Sequence, residues 1–283
     1  MSFNIELLKP FIQQSLLEDV GEGDHTSIST IPPHTQGAAQ LLIKDDGILA
    51  GMEVAVEIFK TVDPSLIIDP LLTDGSAVKP GDIALYVRGS VHAILTAERL
   101  VLNTMQRMSG IATVTARIVG LLKDTHTQVL DTRKTTPGMR YLEKMAVKLG
   151  GGVNHRFGLY DAILIKDNHV DYAGGTTQAI TAAQQYLKHN QLQLPIIVEV
   201  RNLDELHEVL TIGSIDRILL DNFNFDRLRE AVALIDGRFA TEASGNITIH
   251  NVAQYAACGV DYVSMGALTH SVKSLDMSLK AIK

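Results

Sequence analysis

Residues able to do chemistry recur at the C-terminal ends of short apolar runs. Read to its end, each run delivers in turn Asp131-Thr132-Arg133-Lys134, Lys166, Glu199, Asp221, Ser244-Gly245-Asn246 and Gly266-Ala267. The segment GGGVNHRFGLYDAILIKDNH adds His155 and Arg156 ahead of the second run. Arginine grips a carboxylate or phosphate through two parallel hydrogen bonds, whereas lysine acts as a compact point charge. Arg133, Lys134, His155, Arg156 and Lys166 therefore imply a substrate with several negative charges. Glu199 and Asp221 would repel such a polyanion unless they bind ribose hydroxyls, hold a divalent cation or meet developing positive charge. All three roles suit a sugar whose anomeric carbon becomes oxocarbenium-like during glycosyl transfer. Ser244-Gly245-Asn246 and Gly266-Ala267-Leu268-Thr269 place small residues where a strand is expected to give way to a helix, an arrangement that lets backbone N–H groups face a phosphate.

Any one of these positions reads equally well as a solvated loop residue, a helix cap or an ion-pair partner. Six runs ending in this way point to convergence, provided the fold gathers the strand ends on one face. From residue 127 onward TQVLDTRK, DAILIKDN, PIIVEVR, RILLDN, RFATEASGN and DYVSMGA alternate with helical segments at a spacing of about 20 to 35 residues, the rhythm of repeated βα units. Continuous apolar runs suit parallel strands buried on both faces. Six are too few for a standard eight-stranded barrel and too regular for an arbitrary arrangement. The expected fold is thus α/β, with an open, incomplete α/β barrel resembling a TIM barrel; a doubly wound open sheet is the alternative. No G-x-G-x-x-G follows the first strand, which weakens a dinucleotide-binding reading. Gly150, Gly151 and Gly152 either close the preceding helix or form a flexible turn.

Upstream, residues 1 to about 95 combine an amphipathic helix in MSFNIELLKPFIQQSLLEDV with extended runs at 38–44, 65–72 and 83–90, which reads as an α+β region. Residues 96–123 carry Val101, Met105, Met108 and Ala112 at helical spacing, predicting a long helix with a bend or break near Ser109-Gly110 and methionines used as core filler. Two domains follow: 1–110 as an N-terminal α/β domain with the tail 272–283 packed on it, and 111–271 as the barrel. With 46% hydrophobic and 20% charged residues in 283, the chain can bury a substantial core. The formal net charge of −7 argues against a nucleic-acid or anionic-membrane surface, yet leaves room for a local basic pocket. Cys258 is the only cysteine, so no intrachain disulfide is possible and a buried thiol is expected. Without a basic start followed by an apolar run, or any bilayer-length apolar stretch, the expected location is the cytoplasm.

The blocks DTRKTTPGMR, KLGGGVNHRFGLYDAILIKDNH, VEVRNLDE, ILLDN, EASGNIT and VSMGALTHS resemble those of the quinolinate phosphoribosyltransferase family, and the likeness extends upstream through LLEDVGEGDHTS and AERLVLNTMQRMSGIAT. The resemblance implies an N-terminal α/β domain, an open seven-stranded barrel, and a homodimer, or higher oligomer, whose active sites are completed by the partner. It places Arg99 (from the neighbouring subunit), Arg133, His155, Arg156 and Lys166 around quinolinate and Lys134 between acceptor and donor. Glu199 and Asp221 would serve the ribose and its Mg²⁺, directly or indirectly. Ser244, Gly245, Asn246, Gly266 and Ala267 would hold the 5′-phosphate of phosphoribosyl pyrophosphate; Asn246 stands where some members have a second glycine. The implied reaction joins the quinolinate nitrogen to the ribose, expels pyrophosphate and releases carbon dioxide, giving nicotinate mononucleotide with no organic cofactor.

Three competing readings remain at this point. A nicotinate phosphoribosyltransferase or a molybdenum-associated homologue demands less positive charge than Asn154-His155-Arg156 and Lys166-Asp167-Asn168-His169 supply. A Schiff-base aldolase would use Lys166 as its amine. A silent phosphosugar-binding protein would not need both Glu199 and Asp221.

Overall fold

The computed structural model describes residues 4–282. Helix α1 (Ile5–Val20) starts at Asn4, whose side chain accepts the Glu6 N–H, and stops at Gly21. In α2 (His25–Thr30) the cap is Asp24, accepting from the Ser27 N–H. There follow β1 (Gln36–Ile43), β2 (Gly47–Ile48), α3 (Met52–Val62), β3 (Ile67–Pro70), β4 (Ala77–Val78), β5 (Ile83–Ser90) and the 31-residue α4 (Val91–Leu121).

The bend or break expected near Ser109-Gly110 does not occur, because α4 is continuous through both. Close packing explains the small residues instead. A Cβ on Gly110 would collide with the Lys273 carbonyl oxygen. The Ser109 hydroxyl accepts from the Ala50 N–H at 2.9 Å and donates to the Ala50 carbonyl at 3.1 Å. Met105 and Met108 are fully buried.

The chain then runs through β6 (Gln128–Leu130), α5 (Arg140–Leu149), β7 (Ile163–Ile165), α6 (Asp167–Ala173), α7 (Thr176–His189), β8 (Ile196–Val200), α8 (Leu203–Ile212), β9 (Arg217–Asp221), α9 (Phe225–Ile235), β10 (Ala240–Ser244), α10 (Val252–Ala256), β11 (Tyr262–Ser264), α11 (Ala267–His270) and β12 (Met277–Ile282). It divides into two units that interlace along the sequence: residues 4–116, 135–151 and 268–282 form one, and 117–134 with 152–267 form the other.

The first unit is built on a four-stranded sheet in the order β12-β1-β5-β3, antiparallel throughout. Alternation along β1 sends Ala39, Leu41 and Ile43 inward, where Ile58, Phe59, Leu85 and Val87 are also buried. In the same unit Glu143 of α5, wholly buried, is held by Arg107 Nε at 2.7 Å and accepts the Thr136 N–H at 3.1 Å, while Arg107 Nη2 donates to the Thr269 carbonyl at 2.7 Å.

The second unit carries a parallel six-stranded sheet in the order β6-β11-β10-β9-β8-β7. Each strand neighbours the next in sequence, apart from the β6–β11 pairing that brings the first strand beside the last. That order curls into a barrel and lacks the reversal of a doubly wound sheet. On the other edge of β6, Val153 forms a single parallel bridge to Leu130. The seventh strand that the family resemblance implied is thereby reduced to one bridged residue. Among the described residues no ladder joins Val153 to β7, so the barrel is open there.

β8 and β9 bury Ile196, Ile197, Val198, Val200, Ile218, Leu219 and Leu220, the two-sided burial their apolar runs predict. Residues two apart share the inner face: Arg217, Leu219 and Asp221 on β9, and Ala240, Glu242 and Ser244 on β10. Among the described residues no helix is long and apolar enough to cross a membrane.

Candidate active site

The C-terminal ends of the barrel strands surround a cavity of about 390 Å³. Arg133, Lys134, His155, Arg156, Lys166, Glu199, Asp221 and Ser244 all line it. Glu199, Asp221 and Ser244 reach it from β8, β9 and β10, where period-two alternation turns their side chains inward, and the other five lie in loops or at a helix cap near the strand ends. Lys166 follows β7 as the N-cap of α6, with its backbone N–H bound to His169 Nδ1 at 3.0 Å. His155 and Arg156 sit in the loop after the Val153 bridge. The buried Asp131 accepts the His155 N–H at 2.8 Å and the Asn154 side-chain amide at 2.6 Å. Asp161 secures the rest of that loop through the N–H groups of Phe157 and Gly158.

Charge in the cavity is divided. On one side Arg156 is held below its ordinary pKa by burial and by the neighbouring Arg133 guanidinium, against the pull of Asp161. Its Nη1 donates to the Ala162 carbonyl at 3.0 Å, while its Nε is buried without a hydrogen-bond partner. Two guanidiniums crowded in this way are relieved by a dianion. On the other side burial, followed by the charge of Asp221, pushes the Glu199 carboxyl above its usual range, and Lys166 partly offsets both. Two carboxylates close enough to repel are an oxygen donor set of the kind that Mg²⁺ shares with substrate phosphates. Among the described residues no group of three or more His, Cys, Asp or Glu could hold a metal by itself.

The remaining expected residues lie elsewhere. Gly245 and Asn246 both have positive φ, 97° and 51°, and α10 begins only at Val252, so the helix start expected directly after Ser244 is absent. A left-handed turn takes its place, seated on Asn222: a Cβ on Gly245 would strike the Asn222 side chain, and Asn246 Nδ2 donates to Asn222 Oδ1 at 3.2 Å. Gly266 immediately precedes the four-residue α11, and Ala267 is its first residue. Arg99 is exposed on α4 in the first unit. Gly150 ends α5 and only Gly151 of the glycine run has positive φ, at 88°.

Thr132, Asp167 and Asn168, which the sequence reading named only within their motifs, also line the cavity, and that reading missed Ser264 and, above all, Glu242. Glu242 is wholly buried in the middle of β10. Its signal was a charged residue inside an apolar run, two positions before Ser244 and hence on the same inner face.

Comparison with known proteins identifies the scaffold. The family model for the quinolinate phosphoribosyl transferase C-terminal domain matches residues 111–280, and that for the N-terminal domain matches 24–109. The chain belongs to the quinolinate phosphoribosyl transferase family. Among family members, "Quinolinate phosphoribosyltransferase [decarboxylating] 1b" of Nicotiana tabacum is 48% identical over 288 residues, spanning 96% of this chain and 82% of the relative. The "Probable nicotinate-nucleotide pyrophosphorylase [carboxylating]" of Bacillus subtilis is 42% identical over 272 residues, spanning 96% and 92%. The solved nicotinate-nucleotide pyrophosphorylase of Francisella tularensis superposes with a TM-score of 0.93 at 37% identity, covering 99% of this chain and 98% of that one.

Proposed function

We propose that this chain transfers a phosphoribosyl group from phosphoribosyl pyrophosphate to the ring nitrogen of quinolinate and releases carbon dioxide, forming nicotinate mononucleotide in the synthesis of NAD. The observation that carries this reading is the division of one cavity into a crowded guanidinium side, Arg133 and Arg156, and a crowded carboxylate side, Glu199 and Asp221. The first suits a dicarboxylate acceptor, and the second suits a sugar that becomes cationic at its anomeric carbon.

In the first step the pyridine nitrogen lone pair forms the bond to the anomeric carbon, and pyrophosphate leaves with the electrons of the broken C–O bond. Arg133, Arg156, His155 and Lys166 orient the acceptor by its carboxylates, with Lys134 between acceptor and donor. Glu199 and Asp221 face the ribose as positive charge develops. In the second step the bond from C2 to its carboxylate breaks, the pair it leaves is stabilised by the now cationic ring, carbon dioxide departs and C2 takes a proton. Ser244, Gly245, Asn246, Gly266 and Ala267 serve the 5′-phosphate. Glu199 and Asp221 would hold Mg²⁺ together with the donor's pyrophosphate, where the ion supplies charge neutralisation for the leaving group.

We further propose a homodimer in which Arg99 reaches the partner's cavity. In support, Arg99 is exposed, and an apolar groove of about 520 Å³ beside β7 includes the exposed Leu159. A cytoplasmic location is the companion proposal, checked by cell fractionation.

The deciding experiment incubates the protein with quinolinate, phosphoribosyl pyrophosphate and Mg²⁺, and follows nicotinate mononucleotide and carbon dioxide in equal amounts. Nicotinate in place of quinolinate should give little product, and a chelator should abolish turnover. Product from nicotinate at the quinolinate rate would overturn the dicarboxylate reading.

A further inference from the structure

Beneath the rim His155 is joined to two charged residues, Glu242 and Arg217, that the proposed reaction leaves unused. Glu242 Oε2 stands 3.4 Å from His155 Nε2 and 3.0 Å from Arg217 Nη1. The Arg217 guanidinium in turn lies over the Tyr262 ring, 4.3 Å from its centre. His155 is nearly buried as well, with its side chain 7% exposed. Its Nδ1 accepts the backbone N–H of Arg156 at 2.7 Å. A ring nitrogen that accepts a hydrogen bond carries no proton, so the neutral ring must carry its proton on Nε2, the atom that faces Glu242.

A carboxylate with no solvent exposure is tolerated only when it is paired. Burial pushes the Glu242 carboxyl upward, but its hydrogen bond with the His155 ring and the charge of Arg217 outweigh burial and hold it below the usual range. The group therefore stands as a charged anchor under the guanidinium side of the cavity. It engages Arg217, which also borders a separate cavity of about 190 Å³ toward the N-terminal ends of the strands. It also sets the ring on which the Arg156 backbone rests.

We propose that Glu242 is a positioning residue for the acceptor: it fixes His155 in the Nε2–H tautomer and retains Arg217, so that the acceptor's carboxylates meet Arg133, Arg156 and Lys166 in one geometry. The proposal rests on the reading of this cavity as a site for a pyridine dicarboxylate. Removing the carboxylate releases both the ring and the Arg217 guanidinium, which loosens Arg156 and adds a cation that can misdirect the acceptor. The donor side, formed by Glu199, Asp221 and Ser244, does not depend on it.

Two measurements test the coupling. Nitrogen NMR of the whole protein labelled with ¹⁵N-histidine, at a pH where the ring is neutral, reads the tautomer of His155, with its signals identified by their loss in His155→Gln. Protonated Nε2 and bare Nδ1 are expected in the wild-type protein and in Glu242→Gln, which keeps an acceptor oxygen, whereas Glu242→Leu should lose the preference. Steady-state kinetics should show the KM for quinolinate rising about tenfold or more in Glu242→Leu, and less in Glu242→Gln, with the KM for phosphoribosyl pyrophosphate unchanged, as loss of one charge-assisted contact requires. Protonated Nδ1 in the wild-type protein, an unchanged quinolinate KM, or an equal rise in both constants would each overturn the proposal. Should Glu242→Leu not fold, the wild-type spectrum and the kinetics of Glu242→Gln still decide it. Absence of quinolinate turnover in the wild-type protein would sink the functional reading alone, because the tautomer is read without substrate.

Discussion

Glu199 is held where its charge is least welcome, between burial and the carboxylate of Asp221. Its folded pKa lies above the unfolded value, so between those two values the folded state binds more protons than the unfolded chain. Stability from this group is therefore present at acid pH and is lost as pH rises through the usual carboxylate range and up to the folded pKa. Glu199→Gln should accordingly melt at a higher temperature than the wild-type protein at pH 7, with the difference vanishing at about pH 4 and below. Its turnover should fall at least about tenfold, as loss of a group that stabilises transition-state charge demands. Thermal unfolding at the two pH values with a parallel rate assay checks both; equal melting at pH 7 would remove the electrostatic conflict. Arg133→Ala, by contrast, should weaken quinolinate binding or turnover at least about tenfold. Unchanged kinetics would take Arg133 out of the acceptor site.

Helix α4 shows how an element can contradict its own propensities. Glycine within a helix costs about 1 kcal/mol relative to alanine, so Gly110→Ala should stabilise a free helix. In this protein the added methyl group would meet the Lys273 carbonyl, a backbone atom that cannot rotate away. Overpacking of this kind costs about 1 to 3 kcal/mol, and Gly110→Ala should lower the midpoint of denaturant unfolding. A raised midpoint would mean that the 271–276 segment gives way freely. Arg107, also on α4, holds the wholly buried Glu143. Arg107→Ala strands that carboxylate and should cost about 3 kcal/mol or more, measured by the same unfolding. The barrel elements were the legible ones: all six apolar runs are strands of one parallel sheet. The turn after β10 was not, because Gly245 and Asn246 take up their left-handed conformation against Asn222, whose position depends on β9.

For the molecule as a whole, the proposed sharing of sites between two subunits makes a quantitative prediction. Arg99→Ala and Lys166→Ala proteins, each inactive alone, should recover part of the wild-type rate after subunit exchange, since one site in a mixed dimer carries neither substitution. No recovery despite confirmed exchange would confine the site to one chain. What the amino-acid sequence determined by itself was the run of buried parallel strands and the charged or small residues that close them. Strand burial and strand-end chemistry are local patterns, written in neighbouring residues. Tertiary structure alone decided three further matters. It reduced the Val153 strand to a single bridge, opening the barrel beside β7. It showed that Gly110 serves close packing, a contact between residues far apart in the chain. It also turned Glu242 inward beneath His155 and beside Arg217, a convergence that arises only when separate strands close around one interior.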